Sequence, residues 1–211
     1  MEWHEEVLDK SGHKAAARVA AACGEDFYLA GGTALALRLG HRVSLDLDLF
    51  SPECRLDLAD RIGLKEKLAG GPLVVAEEKD GTSHLRLDKT HVSLFYYPYK
   101  ELATPDQWSG LKVASVADIA AMKLSAVLGR GSKKDFIDLY FIFRQHPPAQ
   151  VFGWAERKFP EHEDFVLQAG KALVYFDDAE KEPAPRMLAA VTWPEVKAYF
   201  RKEIPRFFKF R

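Results

Sequence analysis

The stretch Ser44-Leu45-Asp46-Leu47-Asp48-Leu49-Phe50 sets two carboxylates one residue apart. Leu and Asp alternate there with period two, which predicts a strand over 44–50. On a strand Asp46 and Asp48 project to one face, and Leu45, Leu47 and Leu49 to the other, buried face. Two carboxylates this close repel, and a bound divalent cation removes the cost. Mg²⁺ takes one or two carboxylates and completes its octahedron with water and substrate phosphates. The pair therefore predicts a Mg²⁺ site with Asp46 and Asp48 as its ligands. The competing reading is an edge strand bearing two solvated acids. Against it, Asp is a poor strand former, and two of them between leucines are costly without a reason.

Upstream, Ala30-Gly31-Gly32-Thr33 separates a short apolar strand at 27–30 from a helix that opens at Thr33 and ends at Gly40. Glycine lets backbone approach a ligand, and a helix N-terminus offers N–H groups to an anion. Taken alone, a Gly-Gly before a helix is more often a plain turn. Its weight comes from the short distance to Asp46, enough for one helix and a return strand. A strand–Gly-Gly–helix–strand unit then brings a phosphate cradle and the acidic pair to one edge of the sheet.

The remaining candidates lie in the second half. Ser115-Val116-Ala117-Asp118 has the spacing of a capping box before a long apolar run. Lys123 sits in a helix apolar nearly all round, so it is buried and needs an anionic partner. That partner is either a structural carboxylate, Asp135 or Asp138, or a substrate phosphate. Asp135 and Asp138 are three apart on one helix face. They either brace the core against Lys123 and Arg130 or line a site.

These residues need scaffolding, and the chain supplies it. With 211 residues, 47% apolar and 29% charged, it is long enough for a real core and too apolar to be disordered. The N-terminal 24 residues read as an amphipathic helix, with Val7, Ala15, Val19 and Ala22 on its apolar side. A helix is predicted over 57–70, and strands over 73–76, 83–87 and 91–97. Helices are predicted from 116 to 128, from 133 to 144, across 150–180, and over 194–202. This is an α+β chain: a mixed sheet flanked by helices over 1–110, then a helical domain over 111–211. No apolar run reaches membrane-spanning length. The N-terminus does not read as a signal peptide, and Cys23 and Cys54 form no disulfide framework. Those features place the protein in the cytoplasm. The net charge of −1 argues against a broad nucleic-acid surface. From Lys197 to Arg211, however, six basic residues stand against one acid, interleaved with Tyr199, Phe200, Phe207, Phe208 and Phe210. This tail is either a contact for RNA or a terminal helix packing its aromatics on the core.

Leu29-Ala30-Gly31-Gly32-Thr33-Ala34-Leu35, followed by Leu39-Gly40-His41-Arg42-Val43-Ser44-Leu45-Asp46-Leu47-Asp48-Leu49-Phe50-Ser51, resembles the opening motif of the AbiEii/AbiGii nucleotidyltransferase toxins of the DNA polymerase β-like superfamily. Asp118 to Leu124 and Arg130 to Tyr140 resemble the family's later Lys and Asp motifs. The resemblance spans about residues 27–144. It implies a minimal nucleotidyltransferase fold plus a helical domain. It also implies Mg²⁺-dependent transfer of a nucleotide from a nucleoside triphosphate to an acceptor such as tRNA, by a toxin paired with an antitoxin protein. By the same resemblance Gly31, Gly32, Thr33, Arg42 and Ser44 bind the nucleotide. Asp46 and Asp48 hold Mg²⁺, Lys123 contacts phosphate, and Asp135 acts near the acceptor or as a further polar catalytic group.

One position departs from the superfamily. The strand at 91–97 carries Ser93 where a third carboxylate is expected. Two alternatives remain: modification of a protein side chain instead of RNA, or a nucleotide-binding module without turnover, the reading that Ser93 favours.

Overall fold

The computed structural model describes residues 2–209. The chain divides into two compact units: Met1–Lys100 with Thr104–Ser115, and Glu101–Ala103 with Val116–Arg211. The strand at 111–113 therefore belongs with the sheet, beyond the 110/111 boundary read from sequence.

In the first unit a 3-10 turn at Glu5–Val7 precedes helix α1 (Lys10–Cys23), whose N-terminus Asp9 caps by accepting from the Gly12 amide at 2.7 Å. Strand β1 (Tyr28–Ala30) runs into α2 (Gly31–Leu39), and Gly40, at φ 61°, closes α2 in the left-handed conformation. Then come β2 (Asp46–Ser51), α3 (Leu58–Lys67), β3 (Leu73–Lys79), β4 (Thr82–Leu87), β5 (Thr90–Tyr96), β6 (Asp106–Trp108) and β7 (Leu111–Val113). The sheet order is β3-β4-β5-β2-β1-β7-β6. β2 runs antiparallel to β1 and parallel to β5, and β1 runs parallel to β7. The acid-bearing strand is thus interior. The edge-strand reading of Asp46 and Asp48 fails, because β1 and β5 flank β2 on both sides.

Alternation follows the pleat. Leu29, Leu47, Leu49, Leu85, Leu87, Val92 and Leu94 are buried, each at 2% exposure or less. Leu45 is an exception to the sequence expectation. It is 58% exposed, because β2 begins one residue later, at Asp46. The strands β6 and β7 were not anticipated; they form a hairpin through Ser109-Gly110, both at positive φ.

The second unit holds α4 (Val116–Gly129), α5 (Lys133–Gln145), α6 (Pro148–Lys158), α7 (Phe165–Ala172), α8 (Asp177–Glu180) and α9 (Trp193–Lys209). The region 150–180, expected as one helical stretch, is three helices, with Pro160 in the gap after α6. α9 runs past the expected end at 202 and through Pro205. Its apolar stripe explains this, since Val196, Phe200 and Ile204 are buried and Phe207 stacks on Phe152 at 5.0 Å. Packing of that stripe outweighs the hydrogen bond a proline removes. Among the described residues no helix is long and apolar enough to cross a membrane.

Candidate active site

The glycine turn and the acidic pair meet. β1 pairs with β2 so that Ala30 lies opposite Asp48. The next residue, Gly31, takes φ 64°, a conformation that costs L-residues energy. A Cβ there would lie 2.6 Å from Asp48 Oδ2. Backbone and carboxylate are therefore in close approach, and no other residue type fits. At Gly32 a Cβ would run into the Arg42 guanidinium and come within 3.3 Å of Ser44 Oγ. Both glycines let the side chains of Asp48, Arg42 and Ser44 pack directly against the backbone of the turn.

The other nucleotide-binding candidates surround this turn. Thr33 is 1% exposed; its hydroxyl donates to the Asp46 carbonyl and lies 2.8 Å from Ser44 Oγ. It ties the first turn of α2 to the start of β2. Arg42 is buried at 3% exposure and donates through Nη1 to the Val43 carbonyl at 3.1 Å. Asp46 and Asp48 are half-buried on the face opposite the leucines. Gly31, Gly32, Thr33, Arg42, Ser44, Asp46 and Asp48 thus gather around one strand-to-helix turn in the first unit.

Next to that turn, β5 sets Ser93 in register with Asp48, and His91 with Asp46. Val92 and Leu94 are buried while Ser93 is half-buried, so Ser93 shares the acids' face. One strand further, β4 sets His84 opposite Ser93, with His84 Nδ1 2.9 Å from Ser93 Oγ. Sequence reasoning did not single out His84. The signal was present: the tight Asp88-Lys89 turn pairs Leu87 with Thr90, which fixes 84 opposite 93.

Lys123 and Asp135 lie in the second unit, on α4 and α5. Lys123, 4% exposed, reaches Asp135 Oδ1 at 2.7 Å and Asp138 Oδ2 at 2.6 Å. Asp135 also accepts from Arg130 Nε at 2.9 Å and from Ser132 Oγ at 2.6 Å. Burial alone would raise the Asp135 pKa. The charge of Lys123 and the hydrogen bond from Arg130 outweigh it and hold the group at about 2. A second buried pair joins Lys158 to Asp118 at 2.7 Å, and Asp118 also accepts the Leu102 amide at 3.0 Å. Sequence reading missed Lys158 and assigned Asp118 only a capping role. In this cluster the cation of Lys123 is shared by two buried carboxylates, and Arg130 is the member whose side chain reaches solvent, at 62% exposure.

Comparison with known proteins gives the family and the fold. The family described as "Nucleotidyl transferase AbiEii toxin, Type IV TA system" matches residues 15–210. The chain belongs to the AbiEii nucleotidyltransferase toxin family. An uncharacterized Aquifex aeolicus protein, aq_aa25, is 36% identical over 192 residues, covering 86% of this chain and 88% of that one. The fold is shared with MenT4, a nucleotidyltransferase toxin from Mycobacterium tuberculosis, at TM-score 0.56 and 16% identity, over 91% of this chain and 81% of that one. It is shared also with a chain from H. pylori assigned as a nucleotidyltransferase, at TM-score 0.50 and 15% identity, over 97% and 99%. This AbiEii-family member is a transferase of the nucleotidyl class, with an α+β fold.

Proposed function

We propose that the turn at 31–33 and the Asp46–Asp48 pair form the nucleotide and Mg²⁺ site, and that the protein transfers a nucleotide to an RNA hydroxyl. The observation that carries this reading is the meeting of the glycine turn with the acidic pair: Gly31 packs directly on the Asp48 carboxylate, and the Arg42 guanidinium packs on Gly32. The donor set fits Mg²⁺: two carboxylates on one strand face, with the rest of the shell left to water and phosphate. Mg²⁺ so held would neutralise triphosphate charge as the acceptor hydroxyl attacks the α-phosphorus and pyrophosphate leaves.

The chain's own groups supply positioning. Gly31 and Gly32 keep side chains out of the triphosphate's path. Thr33 and Ser44 hold the turn against β2. Arg42, packed beside Gly32, brings a fixed positive charge to the same place. The buried linkages of Lys123 favour a bracing role for it and for Asp135, with Arg130 as their solvent-facing cation.

For the acceptor, α9 contributes charge and not stacking. Phe200, Phe207 and Phe208 pack against Phe143 and Phe152. Its cations Arg201, Lys202, Arg206 and Lys209 are exposed, and in this reading they meet phosphates. The family description supports a cognate antitoxin protein as partner.

The test incubates the protein with each labelled nucleoside triphosphate, total RNA and Mg²⁺, with and without EDTA. Label in RNA, lost with EDTA, is expected. Label in protein would move the acceptor to a side chain. Nucleotide bound with no pyrophosphate released would make the chain a binding module.

A further inference from the structure

Asp48, Ser93 and His84 occupy one register row across three neighbouring strands, β2, β5 and β4. Strands are about 4.8 Å apart, so His84 stands roughly 10 Å from Asp48. That is too far to touch the acid and near enough to serve the same substrate. The His84 ring meets Phe95 edge-on, with centroids 5.6 Å apart, and this contact restrains its orientation. Ser93 Oγ lies between the acid and the imidazole, 2.9 Å from Nδ1. A cross-strand Ser–His pair can serve the hairpin alone. Its place on the acids' half-exposed face, in the register row of Asp48, asks for more.

We infer that Ser93 and His84 together replace the third carboxylate and take the proton of the attacking acceptor hydroxyl. The inference rests on the nucleotidyl transfer proposed above. As the acceptor oxygen bonds to the α-phosphorus, the bond from that phosphorus to the pyrophosphate oxygen breaks, and pyrophosphate leaves with the electron pair. The acceptor's proton passes to Ser93 Oγ while the Ser93 hydroxyl proton moves to His84 Nδ1. The imidazolium then releases its proton to water. The serine supplies reach and the imidazole supplies basicity, which serine lacks alone. By register and parity the charged or titratable groups on the same face are Asp46 and Asp48 on β2, His91 on β5, Arg86 on β4 and Glu77 and Lys79 on β3.

The experiment measures nucleotide affinity, and the rate of label transfer from a triphosphate to total RNA, for the wild-type protein and for Ser93→Ala, His84→Ala, His84→Gln and the double alanine variant. Nucleotide affinity is expected to stay within about twofold, while each single variant slows transfer about 100-fold, the low end for lost proton transfer. The double variant should be no slower than the slower single one, since the two groups act as a unit. Added imidazole should restore part of the His84→Ala rate and none of the Ser93→Ala rate. The glutamine variant separates the two roles of His84, because its amide can hold Ser93 but cannot take a proton. Full transfer by His84→Gln would reduce His84 to orienting Ser93 and overturn the inference. Undiminished transfer by His84→Ala would overturn it as well. Absence of transfer by the wild-type protein would overturn the nucleotidyl-transfer reading and this inference together.

Discussion

Asp46 and Asp48 lie half-buried on one face of the sheet, against a glycine turn that keeps side chains away. Asp118, Asp135 and Asp138 lie in the helical unit at 0–1% exposure, each bonded to a buried lysine. The same residue type serves two ends. In the sheet, two carboxylates stand side by side on one half-exposed face, where we propose that a cation and a triphosphate bind. Among the helices, these three buried acids are each matched by a buried lysine of the chain, and their charge is used in folding. The difference teaches that an aspartate's surroundings, more than its presence in a motif, separate an activity phenotype from a stability phenotype.

The sharpest way to break the contrast is Lys123→Met. Methionine keeps the stem but leaves Asp135 and Asp138 without their shared cation, so a loss of about 3–5 kcal/mol in chemical denaturation is expected. A loss near 1 kcal/mol, as for simple repacking, would move Lys123 to the active-site side of the comparison.

Asp46→Asn tests the other side. Transfer should fall about 100-fold or more, equivalent to about 3 kcal/mol of barrier. The melting temperature without Mg²⁺ should hold or rise slightly, because one of two repelling charges is gone. A sharp fall in that temperature would make the pair structural.

Acid gives the smallest effect. Asp135 is held at about 2 against a usual 3.8. A depressed carboxylate contributes stability above its unfolded value and loses it as the folded form protonates. About 2 kcal/mol should therefore be present above pH 4 and disappear between roughly pH 4 and pH 2. Denaturation midpoints across that range check it. In Asp135→Asn the pH dependence in this window should be flatter.

The sequence made the centre of this picture readable. The Leu–Asp alternation and the Gly-Gly before an apolar helix depend on local periodicity, and β2 and α2 form where those patterns lie. What escaped was non-local or too short. Three-residue strands such as Asp106–Trp108 and Leu111–Val113 carry no period to detect, and only the Ser109-Gly110 turn signalled them. Lys158 meets Asp118 across forty residues of sequence, which no spacing rule reaches. His84 was within reach through hairpin register. Pro205 misled because a proline reads as a stop, while the buried stripe of α9 carries the helix onward.

The parallel pairing of β1 with β7 has a consequence for synthesis on the ribosome. β1 is made early, and its neighbour β7 follows roughly 80 residues later. At about 5–20 residues per second, the outer edge of β1 waits some 4–16 s for its partner. During that interval the growing chain presents unpaired backbone on a strand of Tyr, Leu and Ala, a template for wrong pairing between nascent chains. Fragments ending before residue 111 keep that edge open permanently, and they should aggregate where the full chain does not.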